Sequence, residues 1–358
     1  MRIGIITYYG VHSHGAVLQA NALKSVLEGM GHQVDFLTFD RNYDFIPREN
    51  SKKYKIGLNS IPFYTKYLFE KGPVNIVRNI QKNSTLNAYR SSHLKMGARY
   101  SDFDGDLVIV GSDEVFSLEI GVNPFMYGHG LKKIPVISYA GCFGPTTFDD
   151  IINLGEQELI SSGLGKMKAV SVRDENSLSI VQKVTGKNAE LVCDPVFLYG
   201  YPEQLKLSRP QKEKYILVYS YDRNMNESAE VDSIKRFAKD NNSKIIAVGY
   251  PHKWCDRYID VDPDELIRYV NHASCVITDT FHGSVLSMLC NTSFLVKLRG
   301  NRNKLEFLLK QHNLESRIIQ NMADICSRSC FDMNFEKVNQ TINELRNKSL
   351  DFLKNAIG

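Results

Sequence analysis

The stretch from Cys275 to Leu289, CVITDTFHGSVLSML, carries the densest chemistry in the chain. It reads as an apolar strand that passes through a polar tip, Asp279-Thr280-Phe281-His282-Gly283-Ser284, into a helix. In parallel α/β sheets ligands bind beyond the carboxyl ends of the strands, and the free N–H groups of the following helix attract anions. A histidine at such a tip, beside a glycine that permits close backbone approach, suits phosphate or carboxylate recognition. The same pattern also fits an ordinary strand, cap and helix with His282 as a capping residue, so the rest of the chain has to discriminate.

Three other segments offer polar groups at predicted strand ends. Gly111-Ser112-Asp113-Glu114 follows the run LVIV, and Asp113 there could accept bonds from sugar hydroxyls or act as a base, with Ser112 as a further contact. Arg173 ends another strand in Ser171-Val172-Arg173-Asp174-Glu175-Asn176. A guanidinium so placed grips a carboxylate or phosphate bidentately, or pairs with a nearby acid. Lys297, Arg299, Arg302 and Lys304 lie beyond the strand FLVKL with no acid among them. That cluster is either a solvated face or a basic rim beside His282.

The amino-terminal turn brings His12, Ser13, His14 and Gly15 toward a possible ligand. Gly10 and Gly15 have P-loop spacing, but Ala16-Val17 stands where Lys-Ser or Lys-Thr is required, and no G-x-G-x-x-G follows the first strand. No H-x-x-x-H, H-E-x-x-H or C-x-x-C pattern predicts a metal centre, and no G-x-S-x-G elbow predicts a serine hydrolase.

These tips need strands and helices to hold them, and the pattern supplies both. Residues 2–7 form a β-branched run, and Ala16, Ala20, Leu23, Leu27 and Met30 give one helical face ended by Gly31. Residues 33–39 complete a β-α-β start, which predicts a parallel sheet with a right-handed crossover. Residues 41 to about 100 read as an insertion with some helix. Strands resume at 107–110, 136–139, 169–172 and 190–193, with a helix from Glu175 to about Thr185 between the last two. Asp194-Pro195 breaks the pattern, and 196–213 reads as a connector.

A second α/β series begins with strands at 215–219 and 244–248 around a helix near 230–241. Asp262-Pro263-Asp264-Glu265 is a strong helix start that leads into the strand from Cys275 to Thr278. A strand at 294–298, a helix over 303–312 and a polar helix over 334–354 follow. The expectation is α/β, with two Rossmann-like domains facing across a cleft in a GT-B-like arrangement. The first spans 1–195 and the second 214–358, with the last helix packing back on the first domain.

With 358 residues, two cores are the default. Hydrophobic residues make up 43% and charged residues 23%, the balance of a soluble globular chain. The net charge of +4 is too small for a nucleic-acid binder but leaves room for a local basic patch. Seven dispersed cysteines predict reduced, structural thiols in a cytoplasmic protein. The start MRIGIITYYG reads as a strand rather than a signal peptide.

Five motifs in order resemble the polysaccharide pyruvyl transferase family: HGAVLQANALKSVLEGMGHQV, DLVIVGSDEVF, ISYAGCFG, SVRDENSLSIVQKVTGKNAELVCDP and VITDTFHGSVLSMLCNTSFLV. The resemblance runs from residue 14 to about 310. It implies a metal-independent enzyme with no cofactor, which moves pyruvate from phosphoenolpyruvate onto two sugar hydroxyls as a cyclic ketal and releases phosphate. By the same likeness Arg173 and His282 match donor-binding positions, with Lys297, Arg299 and Arg302 as further phosphate contacts.

That chemistry suits these residue types. The donor carries two anionic poles, which Arg173 on one side and His282 with the Gly283 and Ser284 amides on the other could hold. Asp113, Asp279 and Glu175 are alternative acids or bases that the sequence does not rank. His14, Gly15 and Ser112 fall on the expected acceptor side. There Glu114 and Phe116 replace a common Gln and Trp, and Ser13-His14 replaces a frequent Asn-Tyr, so the acceptor is less defined than the donor.

The expected partners are phosphoenolpyruvate and a sugar or lipid-linked oligosaccharide at the cytoplasmic face of the inner membrane, with self-association left open. Two rivals remain: a GT-B glycosyltransferase with a nucleotide-sugar donor, and a non-catalytic glycan-binding protein.

Overall fold

The computed structural model describes residues 1–40, 61–119, 121–210, 212–300, 302–321, 325 and 333–358. Part of the expected insertion, residues 41–60, therefore lies outside the described residues, as do Cys326 and Cys330.

The first domain is a seven-stranded sheet in which every neighbouring pair is parallel. Its chain runs β1 (Arg2–Ile6), α1 (His14–Gly29), β2 (Gln33–Thr38), α2 (Ile61–His93), β3 (Met96–Arg99) and β4 (Leu107–Val110). It continues through β5 (Val136–Gly141), α3 (Phe148–Leu154), α4 (Gln157–Lys166), β6 (Ala169–Val172), α5 (Glu175–Thr185) and β7 (Glu190–Leu191). The strand order is β3-β2-β1-β4-β5-β6-β7. Helices cover both faces of such a sheet, so its central strands are continuous apolar runs; all four residues of β4, LVIV, are buried.

After α6 (Pro195–Tyr199) the second sheet is built from β8 (Tyr215–Tyr219), α7 (Ser228–Asp240), β9 (Lys244–Val248), β10 (Arg257–Ile259), α8 (Pro263–Asn271), β11 (Cys275–Thr278), α9 (Phe281–Leu289) and β12 (Phe294–Val296). Its order is β10-β9-β8-β11-β12, again parallel. The chain ends with α10 (Arg302–Gln311) and α11 (Phe335–Ile357).

Each sheet reverses its winding once, at β1/β4 in the first and at β8/β11 in the second. Those reversals open crevices at the strand ends, and the two crevices face each other. The result is two Rossmann-like domains across a cleft, the GT-B-like arrangement.

The cleft does not divide the interior. One apolar cluster contains Ile3 and Leu18 of the first domain together with Leu217 and Leu286 of the second. Tyr201 strengthens this hinge region by donating to the Leu18 carbonyl at 2.5 Å.

Three local features differ from the sequence expectation. Asp194-Pro195 does not simply break the pattern: Asp194 caps α6, accepting from the Val196 amide at 3.0 Å, and Pro195 takes the first helical position. The region read as partly helical contains α2, 33 residues long. The thiols are not all reduced, since Cys275 is disulfide-bonded while Cys142, Cys193, Cys255 and Cys290 are free.

Helix α11 lies against the first domain as well as the second. Ser349 Oγ accepts from the Cys193 amide at 2.9 Å, Arg346 donates to the Phe197 carbonyl at 2.8 Å, and the Phe352 ring lies 6.4 Å from that of Tyr139. Leu353 at the centre of this contact is fully buried. Replacing it with alanine leaves a cavity, and Leu353→Ala is expected to lower unfolding free energy by about 2–5 kcal/mol. Urea denaturation checks this; a change below about 1 kcal/mol would place α11 outside the cooperative core.

Candidate active site

Between the two crevices lies a cavity of about 480 Å³. The turn after β1 contributes Tyr8, Gly10, Val11, His12 and Ser13, and the turn after β4 contributes Asp113, Glu114 and Ser117. From the second domain come Tyr219, Tyr221 and Tyr250, the α9 start Thr280-Phe281-His282, and Lys304 of α10.

The tip after β11 is organised by alternation. Thr278 donates to the Tyr219 carbonyl at 2.6 Å and receives the Thr280 amide at 3.0 Å. Thr280 caps α9 by accepting from the Gly283 amide at 2.9 Å. A Cβ on Gly283 would lie 2.2 Å from Thr278 Oγ1, so the hydroxyl ladder requires glycine there. The Ser284 amide is also used, bonding the Thr280 carbonyl at 3.3 Å.

Gly283 and Ser284 therefore spend their amides on the helix itself. The N–H groups that α9 leaves over at its start belong to Phe281 and His282, both at the cavity wall.

Asp279 turns away from the cavity. It accepts from the Tyr221 amide at 3.2 Å and from Asn224, tying the β11 tip to the turn after β8. Burial raises its pKa, and those hydrogen bonds offset only part of the effect.

His282 fills the space above Gly15. A Cβ at Gly15 would come within 2.2 Å of His282 Nδ1 and 2.8 Å of its Cβ, so the contact admits no side chain. The other ring nitrogen, Nε2, lies 3.7 Å from Asp194 and has no hydrogen-bond partner. Burial lowers the His282 pKa, with Asp194 and Asp113 pulling it part of the way back.

Arg173 is behind this wall rather than in it. Its Nη1 bonds Asp194 at 2.8 Å, its Nη2 bonds Asp113 at 2.9 Å, and its guanidinium carbon sits 4.4 Å from the centre of the Phe281 ring. Burial opposes the charge, but the acidic groups around it, Asp113 and Asp194 among them, hold Arg173 firmly protonated.

Asp113 shows the reverse balance. Burial would raise its pKa, yet Arg173 first, then His282 and Lys304, hold it below the usual carboxylate range. Its backbone has φ of 76°, a left-handed conformation that costs a non-glycine residue about 1–3 kcal/mol and is typical of functional turns. Ser112 is buried beneath it, receiving the Asp113 amide at 2.6 Å and accepting from Thr7 through its own carbonyl at 2.9 Å.

Of the expected basic rim, only Lys304 reaches the cavity. Its Nζ bonds Glu114 at 2.5 Å, and that carboxylate outweighs burial to raise the lysine pKa. Lys297 donates to the Gln320 carbonyl, Arg299 pairs with Glu230, and Arg302 pairs with Glu306 on its own helix. His14 is likewise internal, bonded to the Val261 carbonyl at 2.8 Å and held neutral by burial with a pKa of about 3. Glu175 is exposed at the start of α5, away from the cavity lining.

The structure thus gathers Asp113, His282, Lys304, His12 and Ser13 of the expected residues at the cavity, packs Gly15 against His282, places Arg173 directly behind, and turns Asp279, Lys297, Arg299, Arg302, His14 and Glu175 elsewhere. Residues not singled out for the site by sequence are Asp194, whose signal was the Asp-Pro helix start, and the tyrosines, which carried none.

The Gly15 contact gives a direct test. Gly15→Ala is expected to displace His282 and reduce kcat by roughly 10²-fold or more while circular dichroism stays unchanged. Activity within threefold of the parent would show that the close approach is dispensable.

Comparison with known proteins adds family and fold. The family model described as polysaccharide pyruvyl transferase matches residues 14–298. Among solved structures, a Listeria monocytogenes protein assigned as a UDP-N-acetylglucosamine 2-epimerase aligns with a TM-score of 0.55 at 8% identity, covering 99% of this chain and 95% of that one. That likeness is one of fold.

The UDP-GlcNAc 2-epimerase of Methanocaldococcus jannaschii aligns with a TM-score of 0.48 at 12% identity, over 97% and 93% of the two chains. The glycosyltransferase SnogD of Streptomyces nogalater gives 0.44 at 14% identity, over 99% of each. No curated protein sequence matches significantly. With residues 14–298, most of its length, matched by one family model, the chain belongs to the polysaccharide pyruvyl transferases.

Proposed function

We propose that this chain moves pyruvate from phosphoenolpyruvate onto two hydroxyls of one sugar, forming a cyclic ketal and releasing phosphate. The observation that carries this reading is the convergence of Asp113, His282 and Lys304 on a cavity that Tyr8, Tyr221 and Tyr250 also line. The first set suits a small anion that must be protonated, and the second suits a sugar ring.

The donor phosphate sits at the start of α9, against the amides of Phe281 and His282, where the helix end favours negative charge. Lys304 exchanges Glu114 for the phosphate, making the direct cationic contact that the sequence assigned to Arg173. Arg173 serves as a positioning residue, fixing Asp113 and Phe281 from behind. As the phosphate dianion enters, it favours the imidazolium of His282, which burial otherwise disfavours.

Transfer then balances as follows. His282 gives its proton to the methylene carbon of the donor, and C2 of the enol phosphate becomes electrophilic. The first sugar hydroxyl attacks C2 and passes its proton to Asp113, which is ionised at rest. The C2–O bond to phosphate breaks, the second hydroxyl attacks the same carbon, and its proton leaves with the phosphate or returns to His282. No metal ion takes part in this scheme.

A lipid-linked saccharide is the proposed acceptor class, in assembly of a polysaccharide. Among the described residues no helix is long and apolar enough to cross a membrane, so contact with such an acceptor would be peripheral.

Phosphate release from phosphoenolpyruvate is the test, run with EDTA against lipid-linked glycans, free sugars and nucleotide sugars. Release that depends on a lipid-linked acceptor is expected, and His282→Ala should lower kcat by roughly 10² to 10³. A thermal shift with uridine or guanosine diphosphate and no phosphate release would instead identify a nucleotide-sugar enzyme. Glycan binding without release would identify a non-catalytic binder.

A further inference from the structure

Lys82 of α2 is fully buried. Its Nζ donates to the His12 carbonyl at 3.1 Å and lies 3.3 Å from the centre of the Tyr250 ring. Among the described residues it forms no salt bridge with a carboxylate. His12 belongs to the first domain and Tyr250 to the second, and both line the cavity. Tyr250 also donates to the same His12 carbonyl at 3.0 Å.

Neighbouring contacts show that this is one face of a clamp. Three residues along from Lys82, Thr85 donates to Asp260 at 2.6 Å, and four further on, Tyr89 donates to Asp264 at 2.8 Å. Positions 82, 85 and 89 fall on one stripe of a helix. Arg90 reaches the Val11 carbonyl from the same helix. Helix α2 belongs to the first domain, grips the turn after β1, and among the described residues crosses to the second domain at four points, the fourth being Arg78 over the Tyr258 ring at 5.1 Å.

Two of those crossings are neutral donors to carboxylates and one is the half-buried Arg78 on a ring; that of Lys82 is a fully buried ammonium on a carbonyl and a ring. A buried charge without a carboxylate partner costs stability, and an apolar residue of similar volume is usually neutral or better. Fold stability therefore does not account for lysine at this position. What the charge does supply is directional attraction to the face of Tyr250, a contact that a methionine would not reproduce.

We propose that Lys82 is a positioning residue for the acceptor: its ammonium, seated between the His12 carbonyl and the Tyr250 ring, holds the two cavity walls to which these residues belong at the spacing that grips the sugar. This rests on the reading of the cavity as a pyruvyl-transfer site.

The charges around Lys82 are Asp222 and Asp260 from the second domain, Arg90 from its own helix, and His12 and His14 from the turn after β1 and the start of α1. Burial dominates, and with Arg90 it outweighs the two carboxylates, lowering the lysine pKa to about 7. His12, lowered to about 4 by burial and by Lys82, stays neutral through this range. The ammonium is present below pH 7 and is lost above it. Because the unfolded lysine binds its proton more tightly, the same deprotonation raises fold stability with pH. Grip and stability thus move in opposite directions, which a purely structural lysine would not produce.

Steady-state phosphate release separates the outcomes. With the glycan that supports release, wild-type acceptor KM is expected to rise about tenfold from pH 6 to pH 9, with donor KM changed far less. Lys82→Met should show the high acceptor KM at both pH values, a melting temperature at pH 6.5 equal to or above wild type, and little change in donor KM. A flat wild-type KM across this range, or Lys82→Met within twofold of wild type at pH 6.5, overturns the proposal. If Lys82→Met does not fold, the wild-type pH series decides alone.

If no acceptor supports release, the transfer reading fails while the clamp is still tested. Small-angle scattering of the wild-type protein should then show the domains opening between pH 6 and pH 9, and an unchanged profile overturns the role of Lys82.

Discussion

The guanidinium of Arg173 has 1% of its side chain exposed, and a charge at that depth is tolerable only when bonded partners surround it. Those partners fix the architecture of the cavity. Asp194 both neutralises Arg173 and caps α6, so the ion pair sets where the chain leaves the first sheet. Asp113, in its left-handed backbone conformation, is held at the cavity edge by the same guanidinium. Phe281, stacked over the charge, carries the start of α9 from the second domain onto the first. One arginine thereby joins the turn after β4, the exit helix and the tip after β11, and removing the arginine would leave Asp194 buried without its counter-charge.

With that joint in place, the tip after β11 can divide its side chains by direction. Thr278 and Thr280 turn inward to build the cap, Asp279 reaches to the turn after β8, and Phe281 covers Arg173 and Lys304. His282 is left to close over Gly15, with Nε2 unbonded toward Asp194. A buried ring nitrogen without a partner is costly in a resting fold, and here it sits beside a space sized for a ligand.

How much of this was legible in the sequence follows from where each signal resides. Central parallel strands are buried on both faces, so runs such as LVIV at 107–110 and YILVY at 215–219 announce themselves, and the tips that follow them were found with them. Helix α2 was legible only as an insertion because its pattern is inverted. Val74, Val77 and Ile80 face outward, while Lys82 is buried along with Leu86 and Tyr89, and Gly72-Pro73 interrupts the run.

The basic rim misled for a related reason. Four cations within eight residues look alike in sequence, but three find acids or carbonyls nearby and only Lys304 points across the cleft to Glu114. Direction, not charge, separates them, and for all but Arg302 direction is set by partners distant in sequence.

This asymmetry extends to the two halves of the cavity. The anionic side is built by residues adjacent to strand ends and glycines, whose placement follows from short-range rules of cap and turn. The tyrosine side is assembled from turns after β1, β8 and β9, brought together by the shared apolar interior and by α2. Its spacing depends on how two domains meet, and contacts that set it, such as Tyr250 to His12 and Thr85 to Asp260, join residues more than 170 positions apart. On the proposed reaction, the small donor anion can be recognised by one helix start, whereas a sugar presenting two hydroxyls in fixed relation needs walls whose separation is controlled from outside the cavity. That control is what a helix crossing from one domain to the other provides.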